Sequence, residues 1–133
     1  MGEGIINELE QLIVIAILVE ESSALTVRNV IAVAGSDATL NCNSSGTSSL
    51  ATRWHFTDLG RTTPVCIYNG EVINEDFLPR YRAHIDTAAS RCQLIIGDLR
   101  LSDAGTFRCS MLRSSRTISI FHLSVLGILA YVF

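Results

Sequence analysis

Apolar residues recur at every second position in four stretches of this chain, and three of those stretches carry cysteine in the pattern. They are ATLNC (Ala38, Leu40, Cys42), RCQLI (Cys92, Leu94, Ile96), FRC (Phe107, Cys109) and FHLSV (Phe121, Leu123, Val125). A period of two puts alternate side chains on one face of a strand, so each stretch reads as a strand with one buried face. Turn-forming residues punctuate the stretches at Gly35-Ser36-Asp37, Asn43 to Ser49, Asp58-Leu59-Gly60, Asn69-Gly70 and Ser102-Asp103. Long helical periodicity is absent, as are internal repeats and low-complexity tracts. Short strands at regular spacing predict an all-β sandwich or barrel.

Length and composition narrow the class. The chain has 133 residues, enough for one domain with a useful core. At 48% hydrophobic and 17% charged, it has the apolar content that disordered chains lack. The net charge is −3, and all 10 basic residues are arginines, scattered along the chain rather than clustered. No basic run suggests a nucleic-acid groove. The 4 cysteines (Cys42, Cys66, Cys92 and Cys109) contain no Cys-x-x-Cys pair, which argues against a zinc site or a thioredoxin-like motif. An even number of separated cysteines fits two disulfides in an oxidising compartment, or else four reduced buried thiols.

Three regions differ in character. Residues 1–24 contain an apolar run, Leu12 to Val19, followed by small residues up to Ala24. That is the size of a signal-peptide core, although Glu3, Glu8 and Glu10 are acidic where a leader is basic. The segment reads either as a leader-like stretch or as an amphipathic helix or extra strand on the domain. Residues 25–127 form the β-patterned domain. The apolar tail, 128–133, is too short to span a bilayer, even with the strand before it, and reads as a strand extension or the start of a membrane anchor continuing beyond Phe133.

Cys42, Trp54 (the only Trp) and Cys109 form a Cys…Trp…Cys series within this all-β pattern. Over residues 25–127 the chain resembles a V-set immunoglobulin domain. GSDATLNC is similar to strand B, TRWHF to C, PVCIYNG to C′, RYRAHID to D, and CQLIIGDLRLSDAGTFRC to E and F with their turn. The resemblance implies a two-sheet Greek-key sandwich with a Cys42–Cys109 disulfide across the core and Trp54 packed on it. Leu94, Ile96 and Phe107 join that core. It also implies an ion pair between Asp103 and Arg80 at the base of strand D, with Arg82 as the rival partner, and a tight corner at Gly105. Phe107 stands where the family usually has tyrosine. The corner therefore lacks that hydroxyl's hydrogen bond, a loss of about 1 kcal/mol.

Cys66 and Cys92 fall outside the family pair. Cys92 shares parity with Leu94 and Ile96. If Cys66 also faces the core, the two bridge the sheets and add roughly 3 kcal/mol in the loop-entropy model; otherwise they are two buried thiols. In the last strand, LSVLG resembles the end of an antigen-receptor joining segment. The Phe-Gly-x-Gly bulge is replaced by Thr117-Ile118-Ser119-Ile120, which points to a germline-encoded variable-like domain rather than a rearranging one.

Sharper chemistry has no support in the residues. His55, His84 and His122 are far apart, no nucleophile is linked to a base, and nothing implies a metal or other cofactor. Asn43-Ser44-Ser45 is a glycosylation sequon. Parity with Trp54 and Cys109 places His55, Thr57, Val65, Ile67, Arg108 and Ser110 on the outside of the front sheet (strands C, C′, F and G), with Ile118, Ile120 and His122 beside them. Val65, Ile67, Ile118 and Ile120 would then form an apolar patch, the mark of a contact surface, unless the N-terminal segment folds over it. Met111, Leu112, Arg113 and Arg116 in the F–G loop form a recognition tip.

The expected function is non-enzymatic protein recognition by an immune-type receptor or adhesion molecule, extracellular, at the cell surface or secreted. The partner is a protein ligand met through the front sheet and F–G loop, with homodimerisation through the apolar patch. The rival is a structural or dimerising spacer domain of a larger receptor.

Overall fold

Alternation in the sequence becomes eight strands among the described residues. The computed structural model describes residues 25–43, 52–86 and 88–127. Residues 1–24 and 128–133, with the leader and anchor expectations they carry, lie outside these, as do Ser44 and Ser45 of the sequon. The strands are β1 (Thr26–Val33), β2 (Ala38–Asn43), β3 (Thr52–Asp58), β4 (Val65–Tyr68), β5 (Tyr81–Asp86), β6 (Arg91–Ile96), β7 (Gly105–Met111) and β8 (Thr117–Leu126). A five-stranded sheet has the order β1-β8-β7-β3-β4 and a three-stranded sheet the order β2-β6-β5. β1 runs parallel to β8, and every other pairing is antiparallel.

Between the sheets lies the core. Leu40, Cys42, Trp54, Cys92, Leu94, Ile96, Phe107 and Cys109 are each 0% exposed. Cys42 and Cys109 are disulfide-bonded and tie β2 of one sheet to β7 of the other, with their Cα atoms 6.3 Å apart. Trp54 is the cross-strand partner of Cys109, and its ring centroid lies 5.7 Å from that of Phe121. The expected core residues are all in place.

The turn between β6 and β7 is held by one carboxylate. Asp103 is buried at the end of a short 3-10 turn, Leu101–Asp103. Arg80 grips it with both arms of the guanidinium: Nη1 donates to Oδ2 at 2.7 Å and Nη2 to Oδ1 at 2.9 Å. The backbone N–H of Arg100 donates to Oδ2 at 2.7 Å. Tyr81 adds a bond absent from the sequence-level expectation, its hydroxyl donating to Oδ1 at 2.6 Å. Burial alone would raise the Asp103 pKa. Hydrogen bonds from Arg80, Tyr81 and the Arg100 amide, with the Arg80 charge, outweigh it and hold the carboxyl below its usual range. Arg82 is exposed and pairs with Ile95 on β6, away from Asp103, so the rival pairing does not form.

Phe107 does lack a hydroxyl, yet the corner is not short of one. Its ring packs 4.7 Å from Phe56 and 6.4 Å from Tyr81. Tyr81, from the neighbouring strand of the other sheet, delivers the phenol to Asp103 instead. Gly105 opens β7 opposite Asp58. A Cβ there would collide with the Thr57 carbonyl oxygen and lie 2.7 Å from the Phe56 ring, so the close approach of β7 to β3 requires glycine.

Two bulges overturn part of the parity reading. In β4, Tyr68 pairs with Trp54 and Cys66 with His55, so Ile67 is an extra residue. Ile67 is 0% exposed and belongs to the core, not to the outer face. Cys66 shares the face of His55, on the outside of the sheet, whereas Cys92 faces inward beside Cys42, its partner across β2 and β6. Tyr68 is the β4 residue that reaches toward Cys92, close enough for that thiol to contribute to a raised Tyr68 pKa, after the larger effect of burial. The expected Cys66–Cys92 disulfide is therefore absent and both are free thiols, because Cys66 points out of the five-stranded sheet, away from the core into which Cys92 of the other sheet points. Val65 pairs with Phe56 on the core-facing side and stays 45% exposed only because it lies at the sheet margin. In β8, Cys109 pairs with Ser119 and Ser110 with Thr117, which leaves Ile118 as a second extra residue, packed against the core. The apolar patch of Val65, Ile67, Ile118 and Ile120 does not exist; only Ile120 keeps its outward position.

Candidate recognition surface

What the outer face of the five-stranded sheet carries can be read from strand register. Side chains at paired positions share a face. One row crosses the sheet from Cys66 (β4) through His55 (β3), Arg108 (β7) and Ile120 (β8) to Val27 (β1). The adjacent row runs Arg53, Ser110, Thr117, and the row on the other side Thr57, Thr106, His122, Asn29. Arginine and histidine dominate its centre, and no Asp or Glu projects from this face of the five strands.

Their electrostatics confirm that these groups are neighbours. The His55 pKa is lowered by burial first, then by the charges of Arg108 and Arg53. The imidazole is thus neutral near pH 7, held there by burial first and then by the two guanidinium groups. His55 Nδ1 and the Nε atoms of Arg53 and Arg108 are shielded from solvent and make no hydrogen bond among the described residues. This hydrogen-bonding capacity is not spent among the described residues.

The β7–β8 loop is braced against this face. Arg53 Nη2 donates to the Leu112 carbonyl at 2.6 Å, and the Met111 N–H donates to the Arg116 carbonyl at 2.8 Å. The Leu112 side chain lies 3.4 Å from the position a Cβ would take at Gly70, in the turn after β4. Leu112 and Arg113 are exposed and Met111 half-buried, so the loop offers an apolar knob beside a cation.

An aliphatic margin flanks the cationic centre. Val27, Ile31 and Val33 of β1 are 55%, 68% and 45% exposed, and Leu126 of β8 is 52% exposed. Val27 pairs with Ile120 and Val33 with Leu126, so these side chains line one edge of the same outer face. Parity with Trp54 and Cys109 does not reach β1, and the TVRNVIAV run alternates too weakly to declare its outward side chains from sequence. His122 is exposed, in the row next to that of His55, and contacts Thr106 Oγ1 through Nδ1 at 3.2 Å. Asn43 is exposed at the end of β2.

A family model for the immunoglobulin V-set domain matches residues 26–126, which includes every strand described above. The chain belongs to the immunoglobulin V-set family. In its lettering, β2 to β8 are strands B, C, C′, D, E, F and G, and β1 takes the place of A′. No curated protein matches the sequence. V-set domains are generally non-enzymatic and commonly bind proteins. Together with the inter-sheet disulfide, the family suggests an extracellular or cell-surface setting. No helix among the described residues is long and apolar enough to cross a membrane.

Proposed function

We propose that this V-set domain is the protein-recognition module of an immune-type or adhesion receptor, at the cell surface or secreted, and that it binds an acidic face of another protein. The contact surface is the outer face of the C–C′–F–G sheet with the F–G loop. The observation that carries the reading is the Cys66–His55–Arg108–Ile120–Val27 row with Arg53 beside it: cations at the centre, aliphatic side chains at the margin and no carboxylate. Depleted acid and enriched arginine beside apolar anchors is the usual make-up of the energetic centre of an interface.

A homodimer through this face has lost its basis. Its apolar patch of Val65, Ile67, Ile118 and Ile120 loses Ile67 to the core and Ile118 to packing against it, and a two-fold axis through Arg108 and His55 would set like charges against each other. An acidic partner is favoured instead. Such a partner would raise the His55 pKa toward its ordinary value, so binding should tighten as pH falls through about 6.5, the opposite of the trend for a self-paired face.

Fluorescent tetramers of the domain, applied to a panel of cells, test the reading. Arg108→Glu should reduce staining at least tenfold, while Arg82→Glu on the opposite sheet leaves it unchanged. Staining by Arg108→Glu tetramers at the wild-type level would exclude this face.

A further inference from the structure

A cleft of about 370 Å³ opens at the edge of the sandwich where β1 of one sheet passes β2 of the other. Its size falls at the lower end of the range for small-molecule sites, about 300–1,000 Å³. Two arginines line it from different sheets. Arg28 is in register with Phe121 and so projects from the inward side of the five-stranded sheet. Arg91 pairs with Asn43 on β2. Neither guanidinium has an ion pair or side-chain hydrogen bond among the described residues. Asp86, opposite Arg91 on β5, accepts from the Ala89 N–H at 3.2 Å and forms no ion pair with it. Two unpaired cations converging on one cleft are an arrangement that an oxyanion would satisfy.

Around the two cations the lining is neutral but rich in hydrogen-bonding groups. Thr39, Asn41 and Asn43 stand on the same side of β2 at alternate positions. The Asn41 carbonyl oxygen accepts from Gln93 Nε2 at 2.7 Å, which leaves its own amide N–H donors unspent. Val30 and Phe121 give the cleft an apolar wall. Amide and hydroxyl groups in a row match ring hydroxyls, an apolar wall suits the face of a sugar ring, and the arginines suit its acid group. We propose that this cleft binds an oxyanion-bearing saccharide, with its carboxylate or sulfate held between Arg28 and Arg91. The site lies on the opposite side of the sheet from the protein-recognition face, so the two readings fail independently.

A glycan on Asn43 would stand at the rim, so the test uses the full chain with Ser45→Ala, which removes the sequon and leaves the lining intact. Size-defined heparin and hyaluronan oligosaccharides are titrated while amide chemical shifts are followed. The expected result is shifts clustered at residues 28, 39–43 and 91, with at least a tenfold loss of affinity in the Arg28→Gln, Arg91→Gln double variant and none in Arg82→Gln. Preference for heparin assigns the group as sulfate, and comparable binding of hyaluronan assigns it as carboxylate; either supports the site. Failure of both saccharides to bind at low salt, equal loss in Arg82→Gln, or equally tight binding of a poly-glutamate of matched charge would overturn it.

Discussion

At the scale of single residues, Asp103 is the most heavily committed side chain in the domain. It accepts from Arg80, Tyr81 and the Arg100 backbone while 3% exposed. Removing one partner of a buried charged pair costs about 3–5 kcal/mol, so Asp103→Ala should lose that much in chemical denaturation. Tyr81→Phe deletes one hydrogen bond to a charged acceptor and should cost about 1.5–3 kcal/mol. A Tyr81→Phe domain as stable as wild type would mean that the phenol does not replace the one missing at Phe107. The pH dependence follows from the sign of the shift. The Asp103 pKa is depressed in the folded state, so its contribution is present above the unfolded-state value of about 3.9 and is lost as pH falls below it toward the folded value. His55 behaves with the same sign at higher pH. Its pKa is lowered on folding, so the free domain should lose some stability as pH drops through about 6.5, and His55→Gln should flatten that part of the profile.

At the scale of elements, β4 decides which side chains the recognition face displays. It has four residues and one bulge. Ile67→Glu should unfold the domain or cost several kcal/mol, because it would bury a carboxylate without a partner. Val65→Glu, at the exposed margin, should be tolerated within about 0.5 kcal/mol. Thermal denaturation of the two variants separates the inward placement of Ile67 from an outward one, in which both substitutions would be tolerated. The thiols give a second check. Cys66 should react with a small alkylating reagent in the native domain and Cys92 only after unfolding, and the Cys42–Cys109 peptide should be recovered intact. Much of this was legible from the chain alone. Long strands declare their parity by repetition: β2 and β6 each bury three alternate residues. A four-residue strand such as VCIY is apolar throughout and has no alternation to read. A bulge is a matter of backbone pairing between strands, so no local pattern could have announced Ile67 or Ile118 as extra residues.

At the scale of the whole molecule, the disulfide, the buried tryptophan and the Arg80–Asp103 clasp were legible because they tie together positions far apart in the chain whose residue types the family pattern specifies. The recognition face was legible only in part. His55 and Arg108 lay where parity put them, but the meaning of the face changed from an apolar self-contact to a cationic centre with an aliphatic margin once two isoleucines moved inward. The free domain should accordingly remain monomeric at high micromolar concentration in sedimentation equilibrium, and a stable dimer would restore the self-pairing reading. Cys66 allows the most direct test of the proposed role, since it places a native thiol in the same row as His55 and Arg108. Attaching a bulky maleimide to Cys66 should abolish tetramer staining of partner-bearing cells while leaving the folded spectrum unchanged, and a maleimide on Thr39→Cys of the other sheet, in a Cys66→Ser background, should not. Full staining by domain quantitatively labelled at Cys66 would contradict recognition through this face.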